Sequence, residues 1–156
     1  MSNKVIDWIE HRNRLYLKDI LPLDIPLKVE IEVSSGCNFK CIYCRHSSVD
    51  IKSEFMTMEI FDKIYNGVKK FNKKSKSFNF AGVGEPMLNK NIYDMIKKSN
   101  ELSNDTVLIT NGSLLNKENA DKLIDSEIKT IRVSLQGLDS DEYYRTCKYK
   151  IDFQNF

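Results

Sequence analysis

Residues 37–44 read CNFKCIYC and hold three of the four cysteines of a 156-residue chain, at C-x3-C-x2-C spacing. Free cysteine is often a small buried apolar residue. A loop leaving the carboxyl end of a strand is, however, where α/β proteins place ligands, so the cluster of thiols points to a metal. Two metal chemistries compete. Structural zinc takes four ligands, commonly from two paired motifs; there is no second pair here, and His46 is the residue that would complete a Cys3His set. Iron–sulfur clusters are held by thiolates, normally four. Three thiolates on a four-iron cluster leave one iron without a protein ligand, and an open position is what a catalytic metal site keeps.

Three further stretches carry polar groups at the ends of apolar runs. GVGEP (82–86) places Gly82, Val83, Gly84 and the carboxylate of Glu85 together, TNG (110–112) contains Asn111, and RVSLQG (132–137) contains Ser134. Arg132 and Gln136 share the face of Ser134 if that stretch is extended. Read alone, the glycines of the first and the Asn-Gly of the second make turns.

The elements that must position these groups follow from periodicity. LKVEIEV (27–33) alternates with period two, as a strand does when one face is more buried than the other. After the cysteine loop, Thr57 caps a helix through MEIFDKIYNGVKKF, with Ile60, Ile64 and Val68 at helical spacing. SFNFAG (77–82) is a second strand, and Asn89 or Asn91 caps the helix IYDMIKKSNEL. TVLIT (106–110) is a buried-type strand closed by Asn111-Gly112. Asn116 caps KENADKLIDS, and TIRVSLQG (130–137) is a fourth strand. Asp139 and Glu142 have capping-box spacing and open a last helix through Tyr143, Tyr144 and Cys147. There Cys147 is an ordinary core or surface residue, and core packing is the expected role of Tyr143, Tyr144 and Trp8. Met1–Ile20 reads as an N-terminal helix, stopped by the prolines at 22 and 26.

This β-α alternation implies an α/β fold with a parallel sheet. Later strand starts lie about 25 to 30 residues apart, near the repeat of a βα barrel. The organisation is residues 1–26 as helix and linker and 27–156 as one core. With 24 basic and 22 acidic residues the net charge is +2, which gives no electrostatic reason to expect nucleic acid or an anionic membrane as partner. No apolar run approaches the roughly 20 residues that span a bilayer, and the start lacks the apolar core of a signal peptide. A cytoplasmic location is expected, where clustered cysteines serve metals or redox chemistry rather than a disulfide framework.

The cysteine loop, with Tyr43 just before its last cysteine and Ser35-Gly36 before its first, resembles the cluster loop of radical S-adenosylmethionine (SAM) enzymes. The resemblance runs from about Lys28 to Cys147 and is nearest to members of the SPASM type, which carry a further cysteine-rich region not found in these 156 residues. It implies a partial TIM-like barrel, of which about four of the usual six units are present, and two cofactors, a 4Fe-4S cluster and S-adenosylmethionine. Cys37, Cys41 and Cys44 would be the cluster ligands, with amides of Asn38 to Tyr43 donating to sulfur and Phe39 and Ile42 excluding water. Tyr43, Asn111, Ser134 and the Gly82-Val83-Gly84-Glu85 stretch would bind the second cofactor, the carboxylate of Glu85 meeting its amino group. Val83 departs from the family's glycine at a position that acts through backbone.

The resemblance implies reductive cleavage of S-adenosylmethionine to a 5′-deoxyadenosyl radical, with a small-molecule or peptide substrate and an electron donor such as flavodoxin or ferredoxin. A non-catalytic iron–sulfur or zinc scaffold and a glycyl-radical activase are the alternatives. Four units leave the edge of the last strand open, so the chain is expected to be the first part of a longer enzyme or to self-associate through that edge.

Overall fold

The computed structural model describes residues 21–154 together with Lys18 and Phe156. The expected N-terminal helix, Lys18 aside, lies outside the described residues. Four strands, β1 (Lys28–Ile31), β2 (Ser75–Phe80), β3 (Ser103–Thr110) and β4 (Thr130–Val133), form one parallel sheet in the order β1-β2-β3-β4. Between and after them come α1 (Arg45–Ser48), α2 (Met58–Lys69), a 3-10 turn (Pro86–Leu88), α3 (Ile92–Ser99), α4 (Lys117–Asp125) and α5 (Ser140–Cys147). This is the α/β repeat expected, with a sheet that does not close: a partial TIM-like barrel.

The helices start where polar side chains can take their free amides. Thr57 Oγ1 accepts from Ile60 N at 3.3 Å, Asn116 Oδ1 from Asn119 N at 2.9 Å, and Asp139 Oδ1 from Glu142 N at 2.7 Å. Glu142 reaches back to the amide of Leu138, one residue before the cap. Asn91 caps α3 without a side-chain bond. Asn89 instead ties the chain together, its Nδ2 donating to Val33 O and Met56 O.

The strands differ from the sequence expectation at their ends. β2 and β3 begin earlier because polar residues pair there, Ser75 with Ser103 and Ser77 with Asp105. β4 stops at Val133 and does not run to Gly137, because β3 ends at Thr110 and turns away at Gly112, where φ is +81°. Beyond that point β4 has one ladder bond left, Ser134 N to Thr110 O at 2.9 Å.

Ile31, Phe78, Phe80 and Leu108 point from the sheet into the main core and meet Phe61, Met95, Ile96 and Leu123 of the helices. By alternation Lys28, Glu30 and Glu32 take the opposite, concave face. A second, smaller cluster of Phe39, Tyr143 and Cys147 lies under the cysteine loop. Tyr144, expected to pack, is 48% exposed.

Candidate functional site

All the singled-out stretches meet at the carboxyl ends of the strands, and backbone packing explains how. Gly36 O accepts from Glu85 N at 2.8 Å, which lays the GVGEP loop on the segment leading into Cys37. A Cβ on Gly84 would stand 2.0 Å from Ser34 O and 2.7 Å from Gly36 O, so only glycine permits this approach. On Gly82 it would stand 2.5 Å from Glu32 Oε1, because the Glu32 side chain lies across that residue. Val83 and Gly84 both donate their amides to Glu32 Oε1, at 2.5 and 3.2 Å. Val83 thus bonds Glu32 through its backbone.

The carboxylate of Glu85 faces inward. It is 2% exposed and accepts three internal hydrogen bonds: Met87 N at 3.0 Å and Thr110 Oγ1 at 2.7 Å on Oε1, and Asn111 N at 2.7 Å on Oε2. Burial raises its pKa above the ordinary carboxylate range, and the three donors only partly offset that. Glu85 therefore latches the end of β3 to the loop after β2.

The cysteine loop is fixed from three sides. Asn111 Nδ2 donates to Asn38 Oδ1 at 2.9 Å, and Asn38 Nδ2 donates to Ser113 Oγ at 2.8 Å. Lys40 N and Ile42 N donate to Cys147 O and Thr146 O at 2.8 and 2.9 Å, seating the loop on the last turn of α5. Tyr43 Oη bonds Gln136 Oε1 across from the segment after β4. Beneath the loop Phe39 packs on Tyr149, with ring centroids 4.6 Å apart, and edge-on against Tyr143 at 6.3 Å.

Around the sulfurs the geometry is selective. Cys37 Sγ accepts from Phe39 N at 3.4 Å and from Asn111 Nδ2 at 4.0 Å, and Cys44 Sγ accepts from His46 N at 3.4 Å, capping α1. The amides of Lys40 and Ile42, expected to donate to sulfur, are taken by α5 instead. Phe39 is buried as expected of a water-excluding residue, but Ile42 is 64% exposed. Cys37 is half-buried, and that burial pushes its thiol pKa up. The three thiols, with amides directed at two of them, are a donor set that fits an iron–sulfur cluster. Among the described residues no three His, Cys, Asp or Glu side chains gather around a single-ion point, the arrangement that tetrahedral zinc needs. His46 has both ring nitrogens buried without a hydrogen-bond partner. Ser134 is half-buried just past β4, and Arg132 is exposed.

Sequence reasoning missed Glu32, Ser113 and the side chain of Asn38. Glu32 was in view as the polar phase of a period-two strand, but nothing in that alternation marks it apart from Glu30. Cys147 joins the site through its carbonyl, which no side-chain pattern reports.

The family model described as Radical SAM superfamily matches residues 31–156. The chain belongs to this superfamily. A GTP 3′,8-cyclase of Staphylococcus haemolyticus is 33% identical over 129 residues, covering 74% of this chain and 35% of that protein. A PqqA peptide cyclase of Bradyrhizobium diazoefficiens is 26% identical over 127 residues, covering 81% and 33%. Among solved structures, SuiB of Streptococcus suis bound to S-adenosylmethionine aligns with a TM-score of 0.68 and 27% identity over 88% of this chain and 32% of that one. The chain thus spans about a third of the length of the relatives it matches. Radical SAM proteins use a 4Fe-4S cluster and S-adenosylmethionine, the pair expected from the cysteine loop. Among the described residues no helix is long and apolar enough to cross a membrane.

Proposed function

We propose that this chain is the catalytic, cluster-binding part of a radical SAM enzyme that abstracts hydrogen from a small-molecule or peptide substrate. The observation that carries the reading is the meeting of the cysteine loop, GVGEP and TNG at one end of the sheet through direct hydrogen bonds. When bound, the cluster supplies the electron that splits S-adenosylmethionine into methionine and a 5′-deoxyadenosyl radical. Cys37, Cys41 and Cys44 hold the cluster. Phe39 N and Asn111 Nδ2 direct hydrogen bonds at Cys37 sulfur, which raises the reduction potential and eases electron uptake. Backbone of Gly82, Val83, Gly84 and Glu85 receives the methionine end of the cofactor, with the Glu85 latch keeping that backbone in place. Tyr43, held by Gln136, and Ser134 border its nucleoside end.

A flavodoxin or ferredoxin is the proposed electron donor, the proposed location is cytoplasmic, and the open edge of β4 is the proposed surface of self-association. The relatives named above act on a nucleotide and on a peptide, as their names state, which supports a small-molecule or peptide substrate. The deciding experiment is anaerobic reconstitution with iron and sulfide, followed by dithionite and S-adenosylmethionine. Formation of 5′-deoxyadenosine and methionine is the expected result. A protein that assembles a cluster yet releases neither product is a binding scaffold, and the enzymatic reading falls.

A further inference from the structure

Two glutamates border the GVGEP loop, and they are placed for opposite tasks. Glu85 is buried, with Met87 N and Thr110 Oγ1 donating to Oε1 and Asn111 N to Oε2. At 2% exposure, it would have to turn out of its buried position, and away from the bonds that join β3 to the loop, to meet a ligand in the cleft. Glu32 is exposed, stands just past the end of β1, and belongs by alternation to the concave face. Its Oε1 accepts the amides of Val83 and Gly84. Its Oε2 has neither a hydrogen bond nor an ion pair among the described residues. The side chain is also held in register, because Gly82 leaves the space that it crosses. An anionic acceptor fixed at one oxygen and free at the other, beside the loop that receives the methionine end, is preorganised for an N–H donor.

We infer that Glu32, rather than Glu85, supplies the carboxylate that hydrogen-bonds the amino group of S-adenosylmethionine. This rests on the cofactor site proposed above. It adds a residue outside the stretches that the sequence marked, and makes Glu85 a positioning residue.

The test uses the full chain reconstituted anaerobically, with dissociation constants measured by calorimetry for S-adenosylmethionine and for its analogue lacking the α-amino group. Glu32→Gln keeps an oxygen for the two loop amides and removes only the charge. It should weaken S-adenosylmethionine binding about 10- to 100-fold. It should leave the iron and sulfide content at the wild-type level and bind the deamino analogue as the wild type does. Glu85→Gln should lower the melting temperature and weaken both ligands by the same factor. Glu32→Gln binding S-adenosylmethionine like the wild type overturns the inference, as does an equal loss for both ligands, which would make Glu32 a loop support only. A wild type that assembles its cluster but binds no S-adenosylmethionine overturns the cofactor site itself, and this inference with it.

Discussion

β3 and β4 are neighbours in one sheet with opposite surroundings. Val107 and Leu108 in β3 are 1% and 0% exposed, whereas Ile131 and Val133 in β4 are 41% and 40% exposed. β3 has partners on both sides, and among the described residues β4 pairs only with β3. Past β4, Leu135 and Leu138 stand 67% and 80% exposed. The carboxyl ends of the strands follow a different rule. There every loop is bonded to the next, β1 to GVGEP through Glu32, GVGEP to β3 through Glu85, and β3 to the cysteine loop through Asn111. The groups proposed to hold the cofactors are assembled within these four units, while the edge that would continue the barrel is still open.

The largest test of that contrast removes one sulfur. Cys41→Ala, or the same change at Cys37 or Cys44, should abolish the brown absorbance of the reconstituted cluster and bring iron and sulfide close to zero. A full cluster in any of the three variants would remove that cysteine from the ligand set. The fold should survive, because none of the three lies in the main core.

Next in size is a pair that compares the closed and open parts of the sheet directly. Phe78 is fully buried between Phe61 and Phe80, so Phe78→Ala should cost about 3–5 kcal/mol of unfolding free energy. Ile131→Ala, at a residue 41% exposed, should cost about 1 kcal/mol or less. Urea titration of both variants measures the difference. Equal losses would mean that β4 is as well packed as β2.

Gly84→Ala probes the seam between β1 and GVGEP. The new methyl would stand 2.0 Å from Ser34 O, so backbone must move, at a cost of about 1–3 kcal/mol. Because the displaced segment runs straight into Cys37, cluster uptake should fall as well. Unchanged iron content together with reduced stability would separate the seam from the cluster loop.

Much of this was legible in the sequence because local chemistry and tertiary demand agree there. Thr57, Asn116 and Asp139 read as caps and act as caps. C-x3-C-x2-C after a strand pointed to the radical SAM family, whose model matches residues 31–156. Illegible were features set by residues distant in the chain. β3 begins with Ser103, Asn104 and Asp105, a polar run that becomes strand only because β2 presents Ser75 and Ser77 beside it. β4 looks eight residues long in sequence and is four in the fold, since its partner ends first. Glu85 read from its motif as a carboxylate that meets the cofactor's amino group, whereas the direction its side chain takes depends on Thr110 and Asn111, some 25 residues later. Capping is a contact between near neighbours, whereas the direction a carboxylate faces depends on whichever donors the fold brings to it.

The smallest change in stability should come from the open edge, at Leu135 and Leu138. Both side chains are mostly in solvent, so Leu135→Ser with Leu138→Ser should shift unfolding by no more than about 0.5 kcal/mol per site. Association is where the effect should appear. Two exposed leucines beside a strand whose outer edge has no partner among the described residues favour edge-to-edge contact by apolar burial and free ladder groups together, and serine removes the first without touching the second. Sedimentation velocity over a range of concentrations should find the wild type self-associating and the double variant shifted toward monomer, with both unfolding alike. An unchanged association constant would place the contact elsewhere and leave β4 merely solvated. A shift toward monomer would show that the edge associates through its apolar surface, a property separate from the cofactor site at the strands' carboxyl ends.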